Sequence, residues 1–173
     1  MNGFLLLIPF IAIRFGLLFV LNRKALQRAA YFAPMQGKEM VAYYIYQVSN
    51  IGIFLYLVRL TVKMDFSWQF NVGSVCYLVG LFLCGIAIAN FSSPDDTGFN
   101  ANGIYQFSRN PMYVAYFICF MGMALLTKSL IMLGLVWIFQ ISTHWIILAE
   151  ERWCIHHFGE NYKRYMQEVR RYI

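Results

Sequence analysis

Long apolar runs alternate with short polar segments along this chain, and the first run, Phe4 to Leu21, is broken only by Arg14. Val41 to Leu60 forms a second run, softened by Gln47, Ser49 and Asn50, and Gly73 to Phe91 a third. Tyr113 to Leu126 and Leu130 to Ala149 follow, separated by Thr127-Lys128-Ser129, a link so short that it predicts an antiparallel helical hairpin. Runs of this length and polarity are membrane-spanning helices. The fourth is short, so its leading end is expected to start near the lipid headgroups. The expectation is an all-α integral membrane protein with five transmembrane helices in one domain, residues 1–173, with no internal repeat. Gly80 and Gly85 in the third run are expected to let helices approach closely.

Past Ala149 the pattern changes. Trp153, Ile155, Phe158, Tyr162, Tyr165 and Val169 recur at spacings dominated by three and four, with bases between them. That predicts a C-terminal interfacial helix from Glu150 onward, broken near Gly159. Two polar concentrations stand out: Gly103-Ile-Tyr-Gln-Phe-Ser-Arg-Asn-Pro-Met-Tyr113, and Glu150 to Tyr165. Together they predict one composite site at a membrane face.

Composition agrees with the runs. The residues are 60% hydrophobic and 13% charged, against about 25% charged in soluble domains. The first run lacks a basic flank and a small-residue cleavage site, so a retained span is expected rather than a signal peptide. The net charge of +6 is spread over short flanks, the pattern of membrane orientation rather than of a nucleic-acid groove. An odd number of spans puts Arg23, Lys24, Arg28, Lys38, Arg109, Arg152, Lys163, Arg164, Arg170 and Arg171 on one side, and Arg59, Lys63 and Lys128 on the other. This asymmetry predicts an outside N-terminus and a cytoplasmic C-terminus and site, in a plasma (inner) membrane. Cys76, Cys84, Cys119 and Cys154 form no CxxC pair, and His156-His157 lack a third ligand at metal spacing; no metal is expected.

Gly103-x-Tyr105, Arg109-Asn-Pro-x-Tyr113, Glu150-Glu151 and Phe158-Gly-x-x-Tyr162-x-x-Tyr165, in this order, resemble the isoprenylcysteine carboxyl methyltransferase family. Its members are integral membrane enzymes that use S-adenosylmethionine; phospholipid methyltransferases resemble the chain more loosely. The likeness covers roughly the last half of the chain. It implies a cofactor site within residues 90–173, with contacts at Tyr105, Asn110, Pro111, Met112, Tyr113 and Glu150. An ungapped loop adds Asn90, Thr97, Gly98, Phe99 and Asn100. Two positions depart from the family pattern: Asn110 stands where the family has His, and Ile146 where it has a substrate-contacting Arg.

The residue types suit that chemistry. A sulfonium and an adenine favour aromatic walls, which Tyr105, Phe107 and Tyr113 offer. Glu150 or Glu151 can accept from hydroxyls or an ammonium, while Arg109 can hold a carboxylate. A carboxylate acceptor needs no general base. Arg14, a charge inside a span, costs at least about 2.5–3.5 kcal/mol and therefore faces the bundle; it is a candidate for binding the acceptor's anionic group. His144, two turns before Glu151, is a second candidate substrate contact. The partners expected are membrane lipids and a lipophilic or prenylated small molecule. The alternatives are an NADPH-dependent membrane reductase of the sterol-reductase type, with a similar C-terminal aromatic pattern, and a non-enzymatic membrane scaffold. Against the scaffold, polar residues gather at one membrane face rather than along a midplane path.

Overall fold

Apolar helices account for nearly the whole fold of the computed structural model, which describes residues 1–93 and 98–173. Helix α1 covers Gly3–Leu21, α2 Arg23–Ala30, α3 Lys38–Leu57, α4 Trp68–Ser92, α5 Pro111–Thr127, α6 Leu130–Phe158 and α7 Glu160–Glu168. Four of them (α1, α3, α4 and α6) are long and apolar enough to cross a membrane; α5 is apolar but has only 17 residues. An all-helical integral membrane protein with four to five spans is the result. Large apolar side chains such as Val48, Leu55, Leu78, Phe82 and Ile141 point outward, as lipid-facing residues do.

Helix α4 and helix α5 pack most intimately, and three glycines explain why. A Cβ on Gly80 would lie 2.5 Å from the Cys119 backbone nitrogen, and one on Gly122 would lie 2.5 Å from that of Tyr77. A Cβ on Gly73 would crowd Leu125 and Leu126 at 3.0 Å. Only a hydrogen in place of a side chain permits that approach. Gly85, in contrast, has nothing within 4 Å; of the two glycines expected at a helix contact, only Gly80 is there. Between α5 and α6, Lys128 adopts φ 52 and Ser129 accepts from Met132 N at 3.2 Å, which closes the tight hairpin.

Helix α1 is not regular. It starts as a 3-10 turn at Gly3–Leu6 and widens to π-helix over Ala12–Leu17. Pro9 lacks an N–H and breaks the ladder just before the widened stretch. Arg14 stands in its middle. The chain start is tied across to the α3–α4 connection by Gly3 N to Leu60 O at 2.8 Å and Val62 N to Met1 O at 2.8 Å.

The C-terminal region differs from the sequence expectation. Helix α6 runs unbroken through Glu150 to Phe158, so Trp153, Ile155 and Phe158 belong to the last span rather than to a separate interfacial helix. The break falls at Gly159, whose φ is 57. Helix α7 is the short amphipathic segment beyond it. Its Tyr162 and Tyr165 are buried against Phe99 in a small second core, while Lys163 and Arg164 face outward. The protein's own loop covers this apolar face.

Candidate functional site

At one end of the bundle, the end of α4, the segment before α5, the end of α6 and helix α7 surround a cavity of about 940 Å³. Local geometry starts at Gly103, whose φ of 52 favours glycine and whose Cβ would collide with the Asn90 side chain. Asn90 Oδ1 accepts from Ile104 N at 3.0 Å. This pins the 3-10 turn Gly103–Gln106 to the end of α4 and turns Tyr105 inward. Tyr165 then donates to the Tyr105 carbonyl at 2.6 Å. The ring of Tyr105 is buried in the cavity wall, and burial pushes its phenol well above the usual tyrosine range.

The next residues are held by the chain end. Arg109 N donates to Arg170 O at 2.9 Å, Arg109 Nη1 to Met166 O at 3.1 Å, and Asn110 Nδ2 to Arg171 O at 3.1 Å. Pro111 then opens α5 in its first turn, where a missing N–H costs nothing. Tyr113, the third residue of the helix, reaches across to α6.

The two adjacent glutamates have different fates. Glu151 is buried and held by two guanidiniums: Arg109 Nη2 at 2.9 Å, and Arg171 through Nε at 3.1 Å and Nη2 at 2.7 Å. Its charge is satisfied within the protein. Glu150 lines the cavity and accepts from the Tyr113 hydroxyl at 2.8 Å. Arg152 takes no part in either: it pairs with Glu39 at 2.6 Å. Both glutamates line the cavity, but Glu151 is charge-paired by Arg109 and Arg171, while the bond given for Glu150 comes from the neutral Tyr113 hydroxyl.

A buried polar atom without a protein partner is left to be satisfied by water or by a ligand. Among the described residues these include the Tyr105 hydroxyl, Asn100 Oδ1 and Arg109 Nε, all from residues of this cavity wall. A donor, an acceptor and the Glu150 carboxylate thus sit among aromatic rings that include Phe99, Tyr113 and Tyr116.

The expected contacts divide accordingly. Gly98, Phe99, Asn100, Tyr105, Asn110, Met112, Tyr113, Glu150 and Arg14 all line the cavity. Asn90 and Pro111 do not; they shape its wall from behind. Thr97 lies outside the described residues. His144 stands apart, its Nδ1 2.8 Å from the Tyr172 hydroxyl of the C-terminal tail. Phe107, expected as a third aromatic wall, is 76% exposed. Helices α2 and α3 contribute wall residues that the sequence pattern did not single out, among them Arg28, Tyr46 and Asn50. The softened polarity of the second span was the only signal for Asn50.

A model of the phospholipid methyltransferase family matches residues 52–161, more than half of the chain. The chain is also 28% identical over 109 residues to the protein-S-isoprenylcysteine O-methyltransferase of Dictyostelium discoideum. That alignment covers 57% of this chain and 46% of the relative, so the chain spans under half the length of the relative it matches. No solved structure matches it.

Proposed function

The chain belongs to the phospholipid methyltransferase family, and from that premise we propose that it transfers a methyl group from S-adenosylmethionine to a lipophilic acceptor, such as a prenylcysteine-like carboxylate or a lipid, at the cytoplasmic face of the membrane. The observation that carries this reading is the Tyr113–Glu150 pair in a cavity whose wall also offers the unpartnered Tyr105 hydroxyl and Asn100 Oδ1. The residues fit the cofactor. Glu150 suits a ribose hydroxyl or an ammonium, Tyr105 donates, Asn100 accepts, and the rings of Phe99 and Tyr113 suit adenine and a cationic sulfur. At about 940 Å³ the cavity lies at the upper end of the range for small-molecule sites, which suits a cofactor together with the polar end of an acceptor.

When bound, S-adenosylmethionine supplies an electrophilic methyl group on a positively charged sulfur. The chain's own residues do the rest by placement. Tyr113 fixes the rotamer of Glu150, the Glu151 clamp fixes the Arg109-Asn110 turn, and the buried aromatic wall keeps water away. Meeting of opposite charges in such a place is favoured by the low dielectric and the few waters to reorganise. Alignment of acceptor and methyl is the main demand on the protein. No residue of the wall is assigned as a general base, and an anionic oxygen acceptor requires none.

Calorimetry with S-adenosylmethionine on the purified chain in detergent tests the cofactor half. Micromolar binding that Glu150→Gln weakens by roughly 10- to 100-fold is expected, the loss of a charge-assisted hydrogen bond. Absence of binding to the wild-type chain, or unchanged affinity in a folded Glu150→Gln, overturns it. Labelled methyl transfer to a total membrane extract identifies the acceptor. For the orientation, Lys163→Cys should react with an impermeant maleimide only in opened membranes and Lys63→Cys in intact cells; the reverse pattern places the site outside.

A further inference from the structure

Arg14 is a cation at membrane depth, seven residues before the end of α1, in the π-helical stretch. Such local widening of a helix is frequent at functional sites. Its side chain lines the same cavity as Glu150. Its guanidinium carbon sits 4.6 Å from the centroid of the Tyr116 ring, and the guanidinium donates a hydrogen bond to the Tyr46 phenol. Both neighbours are neutral. Among the described residues Arg14 forms no ion pair, although a cation within a span ordinarily has an anionic or carbonyl partner.

The other guanidiniums of the wall are engaged. Arg28 donates to the Phe91 carbonyl at 2.7 Å and Arg109 is paired with Glu151. Glu150 forms no ion pair with Arg14; two phenols link them instead: Arg14 lies over Tyr116, Tyr116 packs edge-on to Tyr113 at 6.3 Å between centroids, and Tyr113 donates to Glu150. The cavity wall therefore carries a carboxylate and, besides it, a guanidinium held only by neutral phenols and without a counter-charge.

The surroundings show how a ligand reaches the cation. Backbone contact between α1 and α3 is concentrated at the first turn, Gly3–Leu6. Further along, Phe15 and Leu18 of α1 and Gln47 and Asn50 of α3 line the same cavity. Phe15 is 47% exposed on the outer surface of the bundle, so this cleft borders the lipid-facing side.

We propose that Arg14 is the anion-binding, specificity-determining residue of the acceptor subsite, so that this chain favours amphiphiles whose polar end carries a negative charge, a carboxylate or a phosphate. The methyl-transfer reading supplies only the use to which the bound amphiphile is put; the binding preference stands on the geometry of Arg14. A charged head entering between α1 and α3 meets the guanidinium, and its apolar tail stays in the bilayer.

The test measures binding without turnover. Anthroyloxy-labelled stearate and its methyl ester are titrated onto the purified full chain in a neutral detergent. The acid should bind at least about tenfold more tightly than the ester, the value of a charge-assisted contact. Arg14→Gln should remove that preference and leave ester affinity near wild type, while Arg14→Lys, which keeps the charge, should retain most of it. Retained ester binding in Arg14→Gln shows that the variant is folded. Displacement of the label by hexadecyl phosphate supports an Arg14 site open to either anion; failure to displace supports one selective for carboxylate. Equal affinity for acid and ester in the wild type, or a preference that survives Arg14→Gln, overturns the proposal. S-adenosylmethionine titrated on the same samples separates the two readings, since a chain that prefers the acid but ignores the cofactor keeps the anion site and loses the methyltransferase.

Discussion

The Tyr113 hydroxyl donates to Glu150 Oε1 at 2.8 Å, joining the start of α5 to the far part of α6 across 37 residues of sequence. This bond leaves one member of an adjacent acidic pair in the cavity without a cationic partner, while its neighbour is clamped by two arginines.

Removing the bond should matter less than removing the carboxylate. Tyr113→Phe is expected to weaken S-adenosylmethionine binding by roughly 2- to 10-fold, the range of an ordinary hydrogen bond. The Tyr113→Phe, Glu150→Gln double variant should bind no worse than Glu150→Gln alone, because the tyrosine acts through the glutamate. Multiplying losses in a calorimetric cycle would mean that Tyr113 touches the ligand independently.

Tyr105 offers a sharper separation of structure from ligand binding. Its hydroxyl is buried with no partner, so Tyr105→Phe should leave the thermal midpoint unchanged or raised, yet weaken cofactor binding several-fold. Burial raises its pKa, and a raised pKa keeps the phenol protonated as pH rises. The ratio of wild-type to Tyr105→Phe affinity should therefore stay flat from about pH 7 to about pH 10, where an ordinary tyrosine begins to ionise. A ratio that collapses well below pH 10 would show that the hydroxyl is solvated.

Glu151 holds the chain end in place. Glu151→Gln leaves Arg109, whose side chain is 7% exposed, without its counter-charge. Breaking a buried pair in this way costs about 3–5 kcal/mol. Arg171→Ala should cost clearly less, because Arg171 is 31% exposed and the Arg109–Glu151 pair remains. Scanning fluorimetry in detergent ranks them; equal midpoints for both variants would remove Glu151 from its structural role.

Glycine replacements test the α4–α5 contact. Gly122→Ala places a methyl against the Tyr77 backbone, and overpacking of this kind costs about 1–3 kcal/mol. Gly85→Ala meets nothing within 4 Å and should be neutral or stabilising by about 0.5–1 kcal/mol through helix propensity. Thermal midpoints that fall equally in both variants would contradict the asymmetric packing.

The spans were legible in the sequence because the bilayer imposes a local rule: each apolar run must be long enough to cross and must satisfy its own hydrogen bonds as a helix. Breaks were legible for a similar reason. Gly159, Pro111 and the Lys128-Ser129 link act through backbone geometry within a few residues. Helix α6 passed its expected end at Ala149 because the polar residues after it found buried partners, Glu151 with Arg109 and Arg171. The polar island and the acidic pair could be named from sequence, but their division of labour could not. Only the tertiary structure decided that Arg171, 20 residues on, takes Glu151, that Arg152 turns to Glu39, 113 residues back, and that Glu150 is left to Tyr113. The same holds for His144, which faces the C-terminal tail, and for Arg14, which a Pro9-disturbed helix places over Tyr116. Hydropathy is a property of single residues and their near neighbours, whereas a charge partner is chosen by distances between helices that the chain brings together only on folding.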